Sequence, residues 1–398
     1  MRKGNQELVK TLNKSILVQL LQTHGRLSRV DITERTQLSP STVTVLADEL
    51  LESGLIQECG TAESSGGRKP RLLELNPQGG YIIGIDLGGN APRGGLVNLR
   101  GQVEQQLEQE ASAEERPITV DGLFGMIENL MARVPANRLM GIGVSVPGLL
   151  NTDTVVLSSL LQWEGVELGA ALKQRFNTRV GLLNDGNAAA IAEFRHGLGR
   201  GVDYLLYVGA GRGIGSGLIL GGAVYTGPRG MAGELGHITV DLTGPPCRCG
   251  NRGCLGAVAS GRYLADRARE AIKAGTPSAM LELAGGDFDR ITTREMVTAA
   301  AHGDALARQF LIRSGQYIGA GVASMINTLT PQMVIIGGSM IHEGSVLLQT
   351  IQQEVPTRVL PVHRDIPVVQ TSLGEDGKLI GAATVVLEQI LKPVQLLP

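Results

Sequence analysis

One histidine and three cysteines stand close together in this sequence of 398 residues, and their types indicate a metal site. They are His237, Cys247, Cys249 and Cys254. An imidazole and three thiolates can close a tetrahedral zinc site, which leaves no open coordination position for hydrolytic chemistry. The alternative is a group of unmetallated thiols beside an unrelated histidine. The clustering favours structural Zn²⁺, because in a reducing compartment grouped cysteines hold a metal more often than they form disulfides.

Two pairs of polar residues have the types and positions of a small-molecule site. Asn184 and Asp185 follow an apolar segment and precede an alanine-rich helix, where a carboxylate is well placed to take a proton from a hydroxyl group. Glu234 and His237 are three residues apart, so their side chains share one face if the segment is helical. For Asn184 and Asp185 the alternative is a pair that only caps a turn. Considered in isolation, that alternative is the better interpretation.

The composition describes a folded protein of two or three domains. Hydrophobic residues make up 42% of the chain and charged residues 19%, which excludes an intrinsically disordered protein. The 55 glycines, against 3% aromatic residues, indicate an α/β architecture with tight strand-to-helix turns. Because the formal net charge is −2, any nucleic acid must contact a local basic surface. No apolar run is long enough to cross a bilayer and residues 1–10 lack a signal-peptide core, so we expect a cytoplasmic protein without membrane association.

The N-terminal residues have the element order of a winged helix-turn-helix. Apolar residues spaced three and four apart predict an amphipathic helix over residues 6–23. Ser28 and Asp31 form the pattern of a capping box, which predicts the start of a second helix. Ser39 followed by Pro40 predicts the start of a third helix, because proline is favoured at the first helical position.

Two predicted strands, over residues 55–58 and 71–75, follow the third helix and flank a glycine- and serine-rich loop. Short hydroxyl side chains at the start of the third helix suit the major groove, and the basic residues of the loop suit phosphate or the minor groove. The alternative is a three-helix packing module with a solvated basic loop, and the third helix carries no arginine or lysine for base readout. The order of cap, turn, helix and basic wing favours DNA binding. The predicted DNA-binding residues are Arg35, Ser39, Ser41, Thr42, Thr44, Arg68, Lys69 and Arg71.

From Tyr81 onward, apolar strands alternate with glycine-rich turns and helices. This order resembles the actin-like ATPase fold, which is ribonuclease H-like and in which two lobes with similar sheets clamp a nucleotide. The segment Gly-Glu-Leu-Gly-His at residues 233–237 is followed by Cys-Arg-Cys-Gly-Asn-Arg-Gly-Cys at residues 247–254. This block resembles more narrowly the ROK family (repressors, open reading frames and sugar kinases). The resemblance runs from about Tyr81 to about Leu387 and, with the N-terminal module, covers nearly the whole chain.

The resemblance implies an α/β protein with a winged helix-turn-helix followed by a two-lobed, actin-like sugar-kinase domain. The expected domains are residues 1–77 for DNA binding, 78–195 with the helix 376–392 for lobe 1, and 196–375 for lobe 2 with the zinc-binding segment. It also implies that His237 binds zinc through one ring nitrogen and sugar through the other, and that Asp185 matches the base of the kinases. The ligand-binding residues implied are Asn184, Asp185, Glu234 and His237.

The sequence departs from the family pattern at four positions. Asn90 replaces a threonine that helps to hold phosphate, and Arg212 stands where a small hydroxyl residue is expected in the second phosphate loop. Arg212 either pairs with phosphate or fills the nucleotide site. Both changes weaken the case for ATP-dependent phosphoryl transfer, which needs close cradling of phosphates and metal. Gly256 replaces a glutamate and Leu160 an asparagine among the usual sugar contacts, so the effector site is altered.

We therefore expect a DNA-binding transcriptional regulator, a repressor of carbohydrate metabolism genes that responds to a sugar or sugar derivative. It is expected to bind a palindromic double-stranded DNA operator as a homodimer or homotetramer. Interfaces are implied at a predicted helix between Gly303 and Gly315 and at the zinc segment. One alternative is an ATP-dependent sugar kinase with a fused DNA-binding head. Another is a regulator that has lost its small-molecule ligand and answers to a protein partner.

Overall fold

The computed structural model describes residues 2–61, 69–88, 91–108, 117–342 and 344–391, and the structural statements below refer to these residues. Their elements form an N-terminal unit and two lobes, each lobe built on one five-stranded sheet. Among the helices in these ranges, none has the length and hydropathy needed to cross a membrane.

The N-terminal unit consists of α1 (Arg2–His24), β1 (Leu27–Ser28), α2 (Arg29–Thr36), α3 (Pro40–Glu52), β2 (Ile56–Thr61) and β3 (Arg71–Leu75). The sheet has the order β1-β3-β2. The predicted caps are confirmed: the Asp31 amide donates to Ser28 Oγ at 3.2 Å, and the Ser28 amide donates to Asp31 Oδ2 at 2.8 Å. At the start of α3, the Thr42 amide donates to Ser39 Oγ at 3.1 Å. Strand β2 is longer than predicted because it pairs with β3 as far as Thr61.

Lobe 1 is a mixed sheet with helices and a small three-stranded sheet. Its elements are β4 (Tyr81–Asp86), β5 (Arg93–Asn98), β6 (Val103–Glu108), α4 (Val120–Met131), β7 (Leu139–Val146), β8 (Leu149–Asn151), β9 (Thr154–Ser158), β10 (Trp163–Val166), α5 (Leu168–Phe176), β11 (Val180–Asn184) and α6 (Asp185–His196). The main sheet has the order β11-β7-β4-β5-β6. β11, β7 and β4 are parallel, whereas β5 and β6 complete an antiparallel meander from β4.

Lobe 2 repeats this plan. Its elements are β12 (Leu205–Ala210), β13 (Ile214–Leu220), β14 (Ala223–Val224), α7 (Leu255–Ala259), α8 (Gly261–Lys273), α9 (Met280–Leu283), α10 (Thr293–Ala301), α11 (Ala305–Leu329), β15 (Met333–Gly337), α12 (Val346–Arg358) and β16 (Val368–Gln370). The sheet has the order β16-β15-β12-β13-β14, again with three parallel strands followed by a meander. Two lobes with matching sheets confirm the predicted actin-like, α/β architecture.

Helix α13 (Gly377–Leu391) joins lobe 1 to the N-terminal unit. It packs on α6 and on strands β4, β7 and β11, and it also contacts α1. One buried core therefore spans both units, and the predicted boundaries between domains remain predictions. This shared core includes Leu17, Leu21, Ile56, Leu73 and Leu75 of the N-terminal unit and Leu379, Ala383, Val386 and Leu387 of α13.

The contact between α13 and α6 is a backbone-to-backbone contact at Gly381. A Cβ placed on Gly381 would lie 1.7 Å from the Ala188 carbonyl oxygen, so a side chain cannot fit without moving a helix. Gly381→Ala is expected to lower the free energy of unfolding by about 3 kcal/mol. Gly125→Ala is the control, because Gly125 is exposed on α4 and its Cβ would meet nothing within 4 Å. It is expected to stabilise by about 0.5–1 kcal/mol, and equal effects in denaturant unfolding would contradict the packing.

The predicted end of one helix at Gly315 is wrong. Helix α11 runs from Ala305 to Leu329 and passes through Gly315 and Gly319. A Cβ on Gly315 would lie 2.6 Å from Thr350 Cβ, and one on Gly319 would lie 2.7 Å from Glu354 Cβ. These glycines therefore allow α11 and α12 to approach closely, and the long-range contact overrides their tendency to end a helix.

Candidate functional site

Two carboxylates and one ammonium group meet where lobe 1, α6 and α13 come together. Asp86 is the last residue of β4, Asp185 is the first residue of α6, and Lys378 is the second residue of α13. Asp86 is buried, and its Oδ1 accepts hydrogen bonds from the Gly88 amide at 3.0 Å and from Ser145 Oγ at 3.2 Å. Asp185 Oδ2 accepts a hydrogen bond from Lys378 Nζ at 2.9 Å. Three separate elements thus deliver the charges to one place.

Gly88 shows how close these groups lie. A Cβ on this residue would be 3.1 Å from Lys378 Nζ, 3.2 Å from Asp86 Oδ1 and 3.7 Å from Asp185 Oδ2. Burial alone would lower the pKa of Lys378, but the negative charges of Asp185 and Asp86 outweigh it and raise that pKa above its usual value. The ammonium group is therefore charged at any physiological pH.

Sequence reasoning missed Asp86 and Lys378 as site residues. Asp86 ends an apolar strand just before a pair of glycines, which is a usable signal for a site at a strand end. Lys378 is a single cation ahead of the apolar run 379–383, in a helix that packs against the sheet. A lone charge at the start of a buried helix needs a partner, and that requirement was the available signal.

Asn184 caps α6, so the capping alternative for this residue is observed. Its Oδ1 accepts from the Gly186 amide at 2.8 Å, and its Nδ2 donates to the Gly148 carbonyl at 2.8 Å. The cap fixes the first turn of α6, which presents Asp185 between the two sheets. The Asn184 side chain keeps one further N–H and one further lone pair that could contact a sugar. That contact remains a prediction.

Glu234 belongs to lobe 2 and interacts electrostatically with Asp185 of lobe 1. It stands at the N-terminal end of a single 3₁₀ turn, Leu235–His237, so the predicted shared face of Glu234 and His237 rests on one turn. Burial raises the pKa of Glu234 to about 7, and the negative charge of Asp185 adds to the rise. Lobe 2 therefore contributes a carboxyl group whose raised pKa depends partly on Asp185 of lobe 1.

His237 and the three clustered cysteines converge as the sequence predicted. Their ligand atoms all lie within 4.8 Å of one another, with 3.7 Å between His237 Nδ1 and Cys247 Sγ and 3.8 Å between Cys249 Sγ and Cys254 Sγ. A tetrahedral zinc ion with Zn–S bonds of about 2.3 Å separates its sulfur ligands by about 3.8 Å. The spacing also exceeds a disulfide bond of about 2.05 Å. The four residues therefore fit a closed metal site, with the His237 Nε2 atom left for other contacts.

The predicted DNA-binding side chains of α3 form an exposed hydroxyl surface. Ser39, Ser41 and Thr44 are exposed and Thr42 is half-buried. Ser39 Oγ lies 2.9 Å from Ser41 Oγ and 2.8 Å from Thr42 Oγ1, while Thr44 Oγ1 donates to the Pro40 carbonyl. The four hydroxyl groups therefore sit together at the N-terminal end of the helix.

The predicted basic contacts are less uniform. Arg35 and Lys69 are exposed, and Arg35 lies 3.4 Å from His24 Nε2. Arg71 is also exposed but is paired with the Glu58 carboxylate on the neighbouring strand. Arg68 lies outside the described residues.

The positions that depart from the family pattern occupy different surroundings. Asn90 lies outside the described residues. Arg212 is exposed on the turn between β12 and β13, where its carbonyl accepts from the Arg262 amide at 3.2 Å. Gly256 lies beside the turn that carries His237, since a Cβ there would be 3.2 Å from the Gly236 carbonyl oxygen. Leu160 is half-buried.

Comparisons of the sequence with known proteins agree with this division of the chain. Residues 82–389 match the ROK family, and residues 11–57 match a winged helix-turn-helix DNA-binding family. The xylose repressor of Bacillus spizizenii is 31% identical over 397 residues, which is 99% of each chain. The DNA-binding transcriptional dual regulator NagC of Escherichia coli is 30% identical over 400 residues, covering 99% of this chain and 96% of that protein.

Solved structures show the same relationship. A ROK family transcriptional regulator described as a homologue of the E. coli MLC protein superposes with a TM-score of 0.79 at 30% identity, covering 96% of this chain and 97% of that one. A ROK family glucokinase from Streptomyces griseus, in complex with glucose and AMPPNP, has a TM-score of 0.69 at 29% identity. It covers 78% of this chain and all of that one, so its match leaves out part of this chain. With its matching profile, relatives and fold, the chain belongs to the ROK family.

Proposed function

We propose that the protein is a DNA-binding transcriptional repressor of carbohydrate metabolism genes, and that a sugar or sugar derivative is its effector. The observation that carries this proposal is the joining of a winged helix-turn-helix to a ROK domain in one chain, matched over 99% of its length by a xylose repressor. The exposed hydroxyl surface of α3 supplies the base-reading face, and Arg35, Lys69, Arg71 and Arg68 supply charge near phosphate. Such a protein works in the cytoplasm.

The effector site is proposed at the cleft between the lobes. Asp185 of lobe 1 and Glu234 of lobe 2 interact electrostatically, Asn184 immediately precedes Asp185, and the His237 Nε2 atom belongs to lobe 2. Carboxylate, amide and imidazole groups recognise the hydroxyl groups of a sugar by hydrogen bonds that each contribute about 1–3 kcal/mol when buried. A structural Zn²⁺ ion held by His237, Cys247, Cys249 and Cys254 would fix the turn that carries Glu234 and His237.

Helix α13 supports communication between the effector site and the DNA-binding head. Its first turn carries Lys378 against Asp185, and its later turns share a buried core with α1 and β3. A second link is ionic: buried Glu74 of β3 pairs with Arg100 of lobe 1 at 2.6 Å and with Arg26 at 3.1 Å. A sugar that binds one arrangement of these contacts more tightly shifts the equilibrium between the two arrangements of the DNA-binding head. The size of the shift is set by the difference in its affinity for the two states.

The proposal is tested by selecting genomic DNA fragments with the purified, zinc-loaded protein at a stated salt concentration. Enrichment of a few palindromic sites, followed by their release when one sugar is added, is the expected result, because a homodimer or homotetramer presents paired heads. Enrichment no greater than that of non-specific binding would contradict the proposal that the protein is a transcriptional regulator. Operator binding that no sugar alters, together with no sugar-induced thermal shift, would favour control by a protein partner.

A sugar kinase with a fused head is the second candidate, favoured by the likeness to the Streptomyces griseus glucokinase. Asp185 matches the kinase base, but its Oδ2 atom already accepts from Lys378. We expect no ATP-dependent phosphorylation of a panel of hexoses by the intact protein. Turnover that is lost in Asp185→Ala would overturn this expectation and establish an enzyme.

Effector affinity is expected to rise with pH. The pKa of Glu234 is about 7, so its carboxylate fraction grows from about one tenth at pH 6 to about nine tenths at pH 8. If the carboxylate accepts the sugar hydroxyls, the association constant rises by about tenfold over that range. Calorimetry at several pH values measures this slope, and Glu234→Gln should weaken binding and flatten it. A steep slope that survives in Glu234→Gln would assign the pH dependence to another group.

A further inference from the structure

We propose that Lys378 is a built-in cation that fills the place of a divalent metal between Asp86 and Asp185, so that this site binds its ligand without metal or nucleotide. The inference relies on the proposed function only in naming the ligand a sugar. Its evidence is the geometry of three charged groups delivered by three elements, β4, α6 and α13.

The first step is the charge balance of the cluster. Two carboxylate oxygens within a few ångströms of the Gly88 backbone repel each other, and partial burial strengthens that repulsion. A cation between them relieves this repulsion and is therefore favoured. Lys378 supplies it from within the chain, 2.9 Å from Asp185 Oδ2 and with three N–H donors on a compact group.

The second step is space. Mg²⁺ binds in an octahedron of oxygens at about 2.0–2.1 Å and retains several waters, so it needs the volume between the carboxylates and the Gly88 backbone. The Lys378 ammonium lies in that volume, since it would be 3.1 Å from a Cβ on Gly88. Phosphoryl transfer depends on a metal that bridges the phosphate oxygens. Occupation of its position by an ammonium group leaves a site that binds sugar but does not hold a metal–nucleotide complex.

The third step is permanence. Lys378 is held on α13, whose backbone packs directly on β7 and β4: a Cβ on Gly143 would be 1.8 Å from the Ala382 carbonyl, and one on Gly84 would be 2.5 Å from the Leu379 carbonyl. The helix cannot slide along the sheet without breaking this packing. The backbone of Lys378 is thus fixed beside the carboxylates, and the hydrogen bond from Nζ to Asp185 Oδ2 holds the ammonium group there.

The test is Mn²⁺ binding to the full-length, zinc-loaded protein, followed by electron paramagnetic resonance and calorimetry. Lys378→Ala removes the cation and opens its volume, so we expect one Mn²⁺ per chain, at least tenfold tighter than any binding to the intact protein. Lys378→Met removes the charge but fills the volume, and is expected to bind no Mn²⁺ there. Asp86→Asn combined with Lys378→Ala should abolish the new site, which locates it at the cluster.

Two results would overturn the proposal. One is Mn²⁺ binding to the intact protein that Asp86→Asn abolishes, a measurement that needs no Lys378 variant to fold. The other is a folded, zinc-replete Lys378→Ala protein that gains no Mn²⁺ site. If the proposal is correct, the intact protein should bind sugar with the same affinity with and without added Mg²⁺ and ATP. None of the metal measurements uses DNA or sugar, so their failure is distinct from failure of the proposed regulator.

Discussion

Replacement of Cys254 by alanine is expected to abolish stoichiometric zinc binding and to destabilise lobe 2 by several kcal/mol. Cys254 is fully buried, is the N-cap residue of α7 and pairs with Thr239 in an isolated antiparallel β-bridge, so the zinc segment is tied to the lobe at this residue. Structural Zn²⁺ contributes on the order of 10 kcal/mol to folding in small zinc domains, and its loss unfolds them. Metal content by mass spectrometry and the melting temperature measure the two effects.

Cys59→Ala is the matched control, because Cys59 is a half-buried cysteine on β2, remote in sequence from the cluster. It should keep a full complement of zinc and a native lobe 2. A Cys254→Ala protein that retained one zinc per chain would show that the four residues are not the ligand set. Loss of metal binding should also weaken effector binding, since Glu234 and His237 lie at the two ends of the turn that a bound metal would fix.

Substitution of Thr44 by aspartate is expected to weaken operator binding by roughly 100-fold, or about 3 kcal/mol. Thr44 is exposed one turn into α3, on the face predicted to enter the major groove. A carboxylate there would approach the negative potential of DNA, and like charges at an interface cost several kcal/mol. Fluorescence anisotropy with the selected operator at fixed salt gives the dissociation constants.

The fold should be unaffected by this change, because the side chain is exposed and a negative charge near a helix N-terminus is favourable. Thr276→Asp places the same charge on an exposed turn after α8, and is expected to leave operator affinity unchanged. A loss of operator affinity of less than about threefold for Thr44→Asp would mean that α3 does not read the DNA. Such a loss is well under the cost of one lost specific contact.

Local patterns were enough to predict the N-terminal unit. Ser28 with Asp31, and Ser39 with Pro40, place helix starts correctly because a cap is decided by residues at most three apart. The cluster of one histidine and three cysteines was also predictable, since three of the four residues lie within one short loop and soft ligands in a cluster have few uses other than metal binding. In both cases the determining contacts are close in sequence.

The parts that escaped prediction depend on contacts between distant residues. Lys378 meets Asp185 and Asp86 only after α13 returns to lobe 1; a lone cation ahead of an apolar run indicates that a partner exists, but not which residues supply it. The sequence around Gly315 predicts the end of a helix. The contact that keeps the residue inside α11 is with Thr350 of another element, so it is not visible in the neighbouring sequence. Asn184 was considered either a cap or a ligand, and the structure shows the cap while leaving part of the side chain available. Tight tertiary packing overrides the intrinsic secondary-structure propensity of a residue.

The placement of α13 has a consequence for biosynthesis. The core of the N-terminal unit is completed by Leu379, Ala383, Val386 and Leu387, which are translated about 300 residues after β3, or roughly 15–60 s later at usual ribosome speeds. During that interval the apolar faces of α1 and β3 that pack on α13 are exposed in the nascent chain. A chain interrupted before residue 377 therefore carries an incompletely packed head and is a substrate for chaperones and proteases. A truncated head that could occupy operators without sensing the effector is therefore expected to be less stable than the head of the complete chain.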